Sequence, residues 1–76
     1  MYPNPTDDRL TLIVKPGLKI KDLYFVDFSG KFIKPKSVGR SGDNLDINVS
    51  NLNEGIYILE IVSNKEVDKV KVVIDR

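Results

Sequence analysis

The chain has 76 residues, enough for one domain that buries about 60% of the surface its extended form exposes, so the core must be thin. It contains no cysteine and no histidine, which excludes disulfides, thiol nucleophiles and the histidine-based triads and metal sites common in enzymes. The 12 basic and 11 acidic residues give a formal charge of +1, whereas a nucleic-acid-binding domain normally has a clear basic excess. Alanine and glutamine are absent, and β-branched and aromatic residues are frequent. This composition predicts an all-β fold.

Alternating hydrophobic residues bounded by turn residues predict a series of short strands. In chain order, the predicted strands are Arg9–Lys15, Ile20–Asp27, Lys31–Lys34, Asn44–Val49, Gly55–Val62 and Glu66–Ile74. The segment Lys36–Asp43 has two glycines and two serines, and it is predicted to be either a mobile loop or an irregular edge strand. The strand Ile20–Asp27 is apolar on both faces, which predicts a central position in its sheet. Six or seven strands at this spacing indicate a small, antiparallel, immunoglobulin-like β-sandwich.

The same alternation predicts which side chains fill the space between the sheets. Leu10, Leu12, Val14, Leu23, Phe25, Leu45, Ile47 and Val49 are predicted to face inward. The alternation also places Tyr57, Leu59 and Ile61 on one face of the next strand, and Val70, Val72 and Ile74 on one face of the last. Asn44, Asp46 and Asn48 alternate with three of the inward residues and are predicted to lie along one exposed face. A calcium loop would instead wrap its ligands around the ion, and it needs a glycine and a bidentate glutamate that are missing here. No metal site and no cofactor are therefore predicted.

The first short motif is Pro3-Asn4-Pro5 near the amino terminus. Proline fixes φ and has no amide hydrogen for a sheet, so two prolines around one residue predict a rigid, extended lead into the first strand. Proline-rich segments are also an ordinary way for a domain to begin. The motif is informative mainly because it lies directly before a predicted strand.

The second motif is a tight turn that contains Asp27, Gly30 and Lys31. The Asp27 carboxylate is predicted to accept hydrogen bonds from turn amides. Gly30 is predicted to supply the positive φ that a residue with a Cβ would resist. A contact between Lys31 and a partner is conceivable, but a structural role for this segment is the favoured interpretation.

The third motif, formed by Leu52, Gly55 and Tyr57, is the most specific. The leucine is predicted to close the core before the chain crosses between sheets, and the glycine to permit the bend. The tyrosine can bury its ring while its hydroxyl bonds back to the crossover backbone, as in the tyrosine corner of immunoglobulin-like domains. This motif therefore identifies a fold better than it identifies a contact surface.

The last predicted strand carries Lys69, Lys71 and Val72 close to the carboxyl terminus. A strand at a chain end can be recognised by addition to the edge of a partner's sheet. Here the functional interpretation is favoured slightly over a structural one. Lys31, Lys34, Lys36 and Arg40 form a second basic group, but such lysines more often protect edge strands from aggregation.

In this order and at this spacing, the segments resemble the C-terminal sorting domain of cargo of the type IX secretion system (Por secretion system), type A class. The resemblance spans Tyr2 to Asp75. It implies that residues 1–76 are a single sorting domain cut from a larger secreted parent protein of a Bacteroidetes bacterium. The implied partners are the outer-membrane secretion machinery, a sortase-like peptidase that removes the domain, and the cargo that precedes it. The implied location is the periplasm in transit, and then the cell surface or the medium.

Two alternatives remain open on the sequence alone. One is an accessory carbohydrate-binding or adhesive module that is not cleaved. The chain has no tryptophan, so Tyr2 and Tyr24 are its only aromatic sugar platforms outside the corner. The other is a structural spacer without a partner. Catalysis is not expected, because a sandwich this small lacks the insertions that shape a cleft around paired carboxylates. A monomer is the default expectation.

Overall fold

The computed structural model of the chain describes residues 8–75. The strands are β1 (Arg9–Ile13), β2 (Ile20–Val26), β3 (Phe32–Ile33), β4 (Ser37–Ser41), β5 (Asn44–Asn48), β6 (Gly55–Ser63) and β7 (Val67–Ile74). They form two antiparallel sheets, with strand orders β1-β5-β4 and β3-β2-β6-β7. The predicted all-β sandwich of six to seven strands is confirmed. Within residues 8–75, no helix is long and apolar enough to cross a membrane.

Segment 36–43, for which the sequence left two alternatives, forms an edge strand. Each residue of β4 pairs with a residue of β5, from Ser37 opposite Asn48 to Ser41 opposite Asn44. All five residues of β4 are exposed. The strand is regular rather than irregular, because its backbone hydrogen bonds to β5 compensate for the lack of buried side chains.

The ends of the other strands differ slightly from the prediction. β1 stops at Ile13 rather than Lys15, and the Val14 amide instead donates to the Asp43 carbonyl at 2.8 Å. β3 has only two residues, because the chain must soon pass through Pro35, which lacks an amide hydrogen. β2 lies between β3 and β6, which confirms the central position predicted from its two apolar faces.

The core lies between the two sheets, and most of its residues belong to the alternating sets that the sequence indicated. The fully buried side chains are Phe25, Leu45, Ile47, Val49, Leu59, Val72 and Ile74. Leu12 and Val70 are only partly buried. They lie on β1 and β7, which are edge strands of their sheets, and so they line the open side of the sandwich. Leu18, which the alternation did not include, is also buried.

Candidate functional site

The turn after β2 is closed by the carboxylate of Asp27. The amides of Ser29 and Lys31 each donate to Asp27 Oδ1 at 2.9 Å, and the Ser29 hydroxyl donates to the same oxygen at 2.8 Å. The Gly30 amide donates to the Asp27 carbonyl at 3.0 Å, with φ of 89° at the glycine. The Lys31 amide, and then the Ser29 hydroxyl, hold the pKa of the Asp27 carboxyl below its ordinary value. The turn is therefore rigid, while the Lys31 side chain is exposed.

The crossover between the sheets is fixed by a tyrosine corner, as the sequence predicts. The Tyr57 hydroxyl donates to the Asn53 carbonyl at 2.7 Å. Its ring lies edge-on to Phe25, with centroids 6.1 Å apart. Leu52 is buried, and its amide donates to the Val49 carbonyl at 2.9 Å. These contacts make the crossover part of the core.

Gly55 begins β6 with a φ of 157°, a backbone conformation that side chains with a Cβ rarely adopt. A Cβ at this position would lie 3.8 Å from the Tyr57 ring, which is ordinary contact. The requirement for glycine here is therefore conformational rather than steric. It allows the chain to turn from the crossover straight into the strand that carries the corner tyrosine.

The predicted site residues of β7 point in two directions. Lys69 and Lys71 are exposed, whereas Val72 is fully buried opposite Tyr57. Val72 cannot face a partner in the folded domain, so its contribution is to packing. Of the residues singled out in this strand, only the two lysines are placed to touch another molecule.

These motifs meet at one end of the sandwich. Gly55 pairs with Ile74, and the antiparallel pairing of β2 with β6 brings turn 27–31 to the start of β6. The Asp8 carbonyl accepts the Val49 amide at 2.8 Å, so the start of the described chain also lies there. We call this the motif end, and define it as residues 8, 27–31, 49–57 and 72–74. Pro3, Asn4 and Pro5 lie outside the described residues.

The second basic group does not form one continuous patch. The Lys34 ammonium pairs with Asp22, and this hydrogen bond, followed by the Leu23 amide, lowers the pKa of the Asp22 carboxyl. The Arg40 guanidinium donates to backbone carbonyls, including that of Gly42 at 3.0 Å. Lys34 and Arg40 are thus held by intramolecular partners, which supports the structural interpretation for these two residues.

The polar residues of β5 lie on the outer face of the three-stranded sheet. Asp46 accepts hydrogen bonds from Arg9 at 2.8 Å and from Thr11 at 3.4 Å. In the part of the chain that the structure describes, no group of three or more acidic, cysteine or histidine side chains could hold a metal ion. Asp46, the charged residue in the row Asn44, Asp46 and Asn48, is thus paired with a neighbouring arginine.

Comparison with known proteins identifies the family. A family model described as the secretion system C-terminal sorting domain matches residues 1–75. The chain belongs to this family. A sorting domain of this kind is a C-terminal signal of the type IX secretion system, with which it interacts, and it directs export across the outer membrane to the cell surface or the medium. Searches of curated proteins and of solved structures found no match to this sorting domain.

Sequence reasoning missed one surface of the sorting domain, the outer face of its four-stranded sheet. Tyr24 and Phe32 stack there with ring centroids 5.0 Å apart and planes 12° from parallel. The Tyr24 hydroxyl donates to the Glu60 carboxylate at 3.0 Å. Ile56 and Ile58 are exposed on the same face. Part of the signal was present in the sequence, because Ile56 and Ile58 alternate with the buried residues of β6, but the position of Phe32 beside them depends on the order of the strands.

Proposed function

We propose that this sorting domain acts as a folded ligand, which the secretion machinery recognises before a sortase-like peptidase cuts the chain upstream of it. The family match over residues 1–75 is the observation that carries this proposal. In the proposed route, the parent protein reaches the periplasm with a separate export signal, and the domain folds there. After export the cargo is released or joined to the cell surface. The domain itself contributes binding and no chemistry.

The motif end and the last strand are the elements that we propose the machinery reads. Asp27 fixes the turn from β2 to β3, and Tyr57 fixes the crossover between the sheets, each through short hydrogen bonds. A surface that is already ordered loses little conformational entropy on docking. The rigidity of the Gly30 turn and the Gly55 crossover therefore supports a role as a preformed recognition surface.

The strand β7 offers a further means of attachment. It is eight residues long and pairs with β6 on one side, while its other side is an edge of the four-stranded sheet. An edge strand presents backbone donors and acceptors that a partner strand can pair with. Lys69 and Lys71 project from its outer face and would bias such a partner towards acidic side chains. We propose segment 69–74 as the part of β7 that is presented.

The stacked Tyr24 and Phe32 rings favour a second candidate function, an uncleaved carbohydrate-binding or adhesive module. Phe32 is 65% exposed, and exposed aromatic rings can stack on sugar rings. However, one face of each ring is already occupied by the other, and the Tyr24 hydroxyl is engaged by Glu60. The sorting role is therefore the better supported of the two.

The test is to place residues 1–76 behind a fluorescent reporter that carries a Sec signal peptide, and to express the fusion in a Bacteroidetes host with or without a working type IX system. The sorting role predicts reporter at the surface or in the medium, without the domain attached, only in the competent strain. Reporter that stays in the periplasm of both strains would refute it. Exported reporter with the domain still attached would support the uncleaved module instead.

A further inference from the structure

The two outer faces of the sandwich have opposite chemistry. On the three-stranded sheet, the outward residues are polar or small except for Ile13 at the end of β1, and Thr11, Asp46 and Gly39 form one row across the sheet. On the four-stranded sheet, the corresponding row is Phe32, Val26, Ile58 and Lys71. Directly paired residues share a face of a sheet, so this second row is continuous from edge to edge.

The larger apolar group on the second face lies near the motif end, while a smaller pair, Val62 and Val67, lies at the opposite end of the sheet. Ile56 pairs with Val73 one row closer to that end, and both isoleucines of β6 remain exposed, at 49% for Ile56 and 37% for Ile58. Phe28, in the adjoining turn, is 96% exposed. Contiguous exposed apolar patches of this kind mark interaction sites rather than ordinary surface. We call residues 26, 32, 56, 58 and 73 the apolar face.

The charges around the apolar face are arranged unevenly. Asp22 and Glu60, which lie on the outer face of β2 and β6, already accept hydrogen bonds from Lys34 and Tyr24 respectively. None of the salt bridges among residues 8–75 involves Lys69, which lies opposite Glu60 on β7. The β7 side of the apolar face is therefore bordered by positive charge.

We infer that the apolar face is the docking surface of this sorting domain, and that it binds a protein of the secretion machinery whose apolar patch is bordered by carboxylates on the side that meets β7. This inference rests on the proposed function and adds to it the surface and the chemistry of the partner. An anionic membrane fits the face less well, because Glu60 lies directly opposite Lys69 in the row next to Ile58, and lipid phosphates would repel its carboxylate. A protein surface can match both signs of charge.

The structure offers a closely matched pair of variants for the test. Ile58→Thr and Ile13→Thr make the same substitution on opposite outer faces, since Ile13 is 83% exposed at the edge of the polar face. Threonine keeps the branched Cβ that suits a strand, so both variants should fold. Lys69→Gln and Lys65→Gln form a second pair, because Lys65 is exposed in the turn at the other end of the molecule. Thermal unfolding of each purified domain checks that its melting temperature is unchanged.

The readout is export of the reporter fusion in the competent host. Ile58→Thr combined with Ile56→Thr is expected to lower export about tenfold, as loss of hot-spot contacts at an interface would. Lys69→Gln is expected to lower it more modestly, and Ile13→Thr and Lys65→Gln to leave it unchanged. If the unaltered domain is exported and the folded Ile56→Thr/Ile58→Thr variant is exported equally well, the docking surface is wrong while the sorting role stands. If the unaltered domain is not exported, the sorting role fails and the inference with it.

Two measurements on the purified domain separate the other possible occupants. Flotation with vesicles that contain anionic phospholipid would overturn the inference in favour of a membrane if binding occurs and Ile58→Thr abolishes it. Sedimentation over a range of concentrations would overturn it in favour of a second copy of the chain if a dimer forms and the same variant dissolves it. A monomer that does not bind vesicles, together with the export defect, supports a protein partner.

Discussion

Replacing Tyr57 by phenylalanine removes one oxygen and its hydrogen bond while keeping a ring in the core. The hydroxyl donates to the Asn53 carbonyl at 2.7 Å, and Tyr57 is 6% exposed. A hydrogen bond of this kind contributes about 0.5–1.5 kcal/mol net. The free energy of unfolding expected for a chain of this size is roughly 4–11 kcal/mol, so the bond is a substantial fraction of it. A loss of about 1 kcal/mol should lower the melting temperature by about 4–8 °C.

The assay is thermal and urea unfolding of the purified domain, followed by circular dichroism. Tyr24→Phe is the matched control, because it also removes a tyrosine hydroxyl, here one that donates to the half-exposed Glu60 carboxylate at 3.0 Å. Water can replace that bond more easily, so the control should lose less stability than Tyr57→Phe. The corner argument is refuted if Tyr57→Phe is as stable as the unaltered domain, or if both variants lose the same amount.

Three further predictions concern the same end of the molecule. Val72→Ala removes two methyl groups from a fully buried position and should cost about 2–3 kcal/mol in urea unfolding; an unchanged midpoint would contradict the assigned packing. Gly55→Ala should cost about 1–3 kcal/mol because of the φ of 157°, and a stabilised variant would contradict this. The folded-state pKa of Asp27 is lowered, so its charged form stabilises the fold above the unfolded-state value near 3.9, and this contribution is lost as pH falls through the lower folded-state pKa. The free energy of unfolding of Asp27→Asn should therefore decrease less below about pH 4 than that of the unaltered domain. Asp43→Asn, a substitution outside the turn, should show the same decrease as the unaltered domain.

Much of the fold was predictable because strand alternation reports burial directly. Leu45, Ile47 and Val49 occupy every second position of one short segment, and all three are buried. The turn at Asp27 was also predictable, since both its capping carboxylate and its glycine act on neighbours within four residues. Local signals of this kind do not depend on how the sheets are ordered.

The strand β4 and the apolar face were not predictable in the same way. Val38 and Arg40 face inward in register with β5, yet both are exposed, so the segment has no buried face to produce a hydrophobic pattern. β4 is a strand only because it pairs with β5. The sequence of β5 alone does not indicate which strand lies beside β5. The apolar face depends on strand order too, because Phe32 joins Ile58 only through β2, which lies between them.

The division of the motifs between core and surface bears on how a sorting signal can be identified. Leu52, Tyr57 and Val72 are buried, and Gly55 is required by its backbone conformation. These residues specify the sandwich, so their substitution should reduce export only as far as it unfolds the domain. A substitution on the apolar face, such as Ile58→Thr, should instead reduce export without a change in melting temperature. Export plotted against stability should then place core variants on one line and variants of a true docking surface well below it.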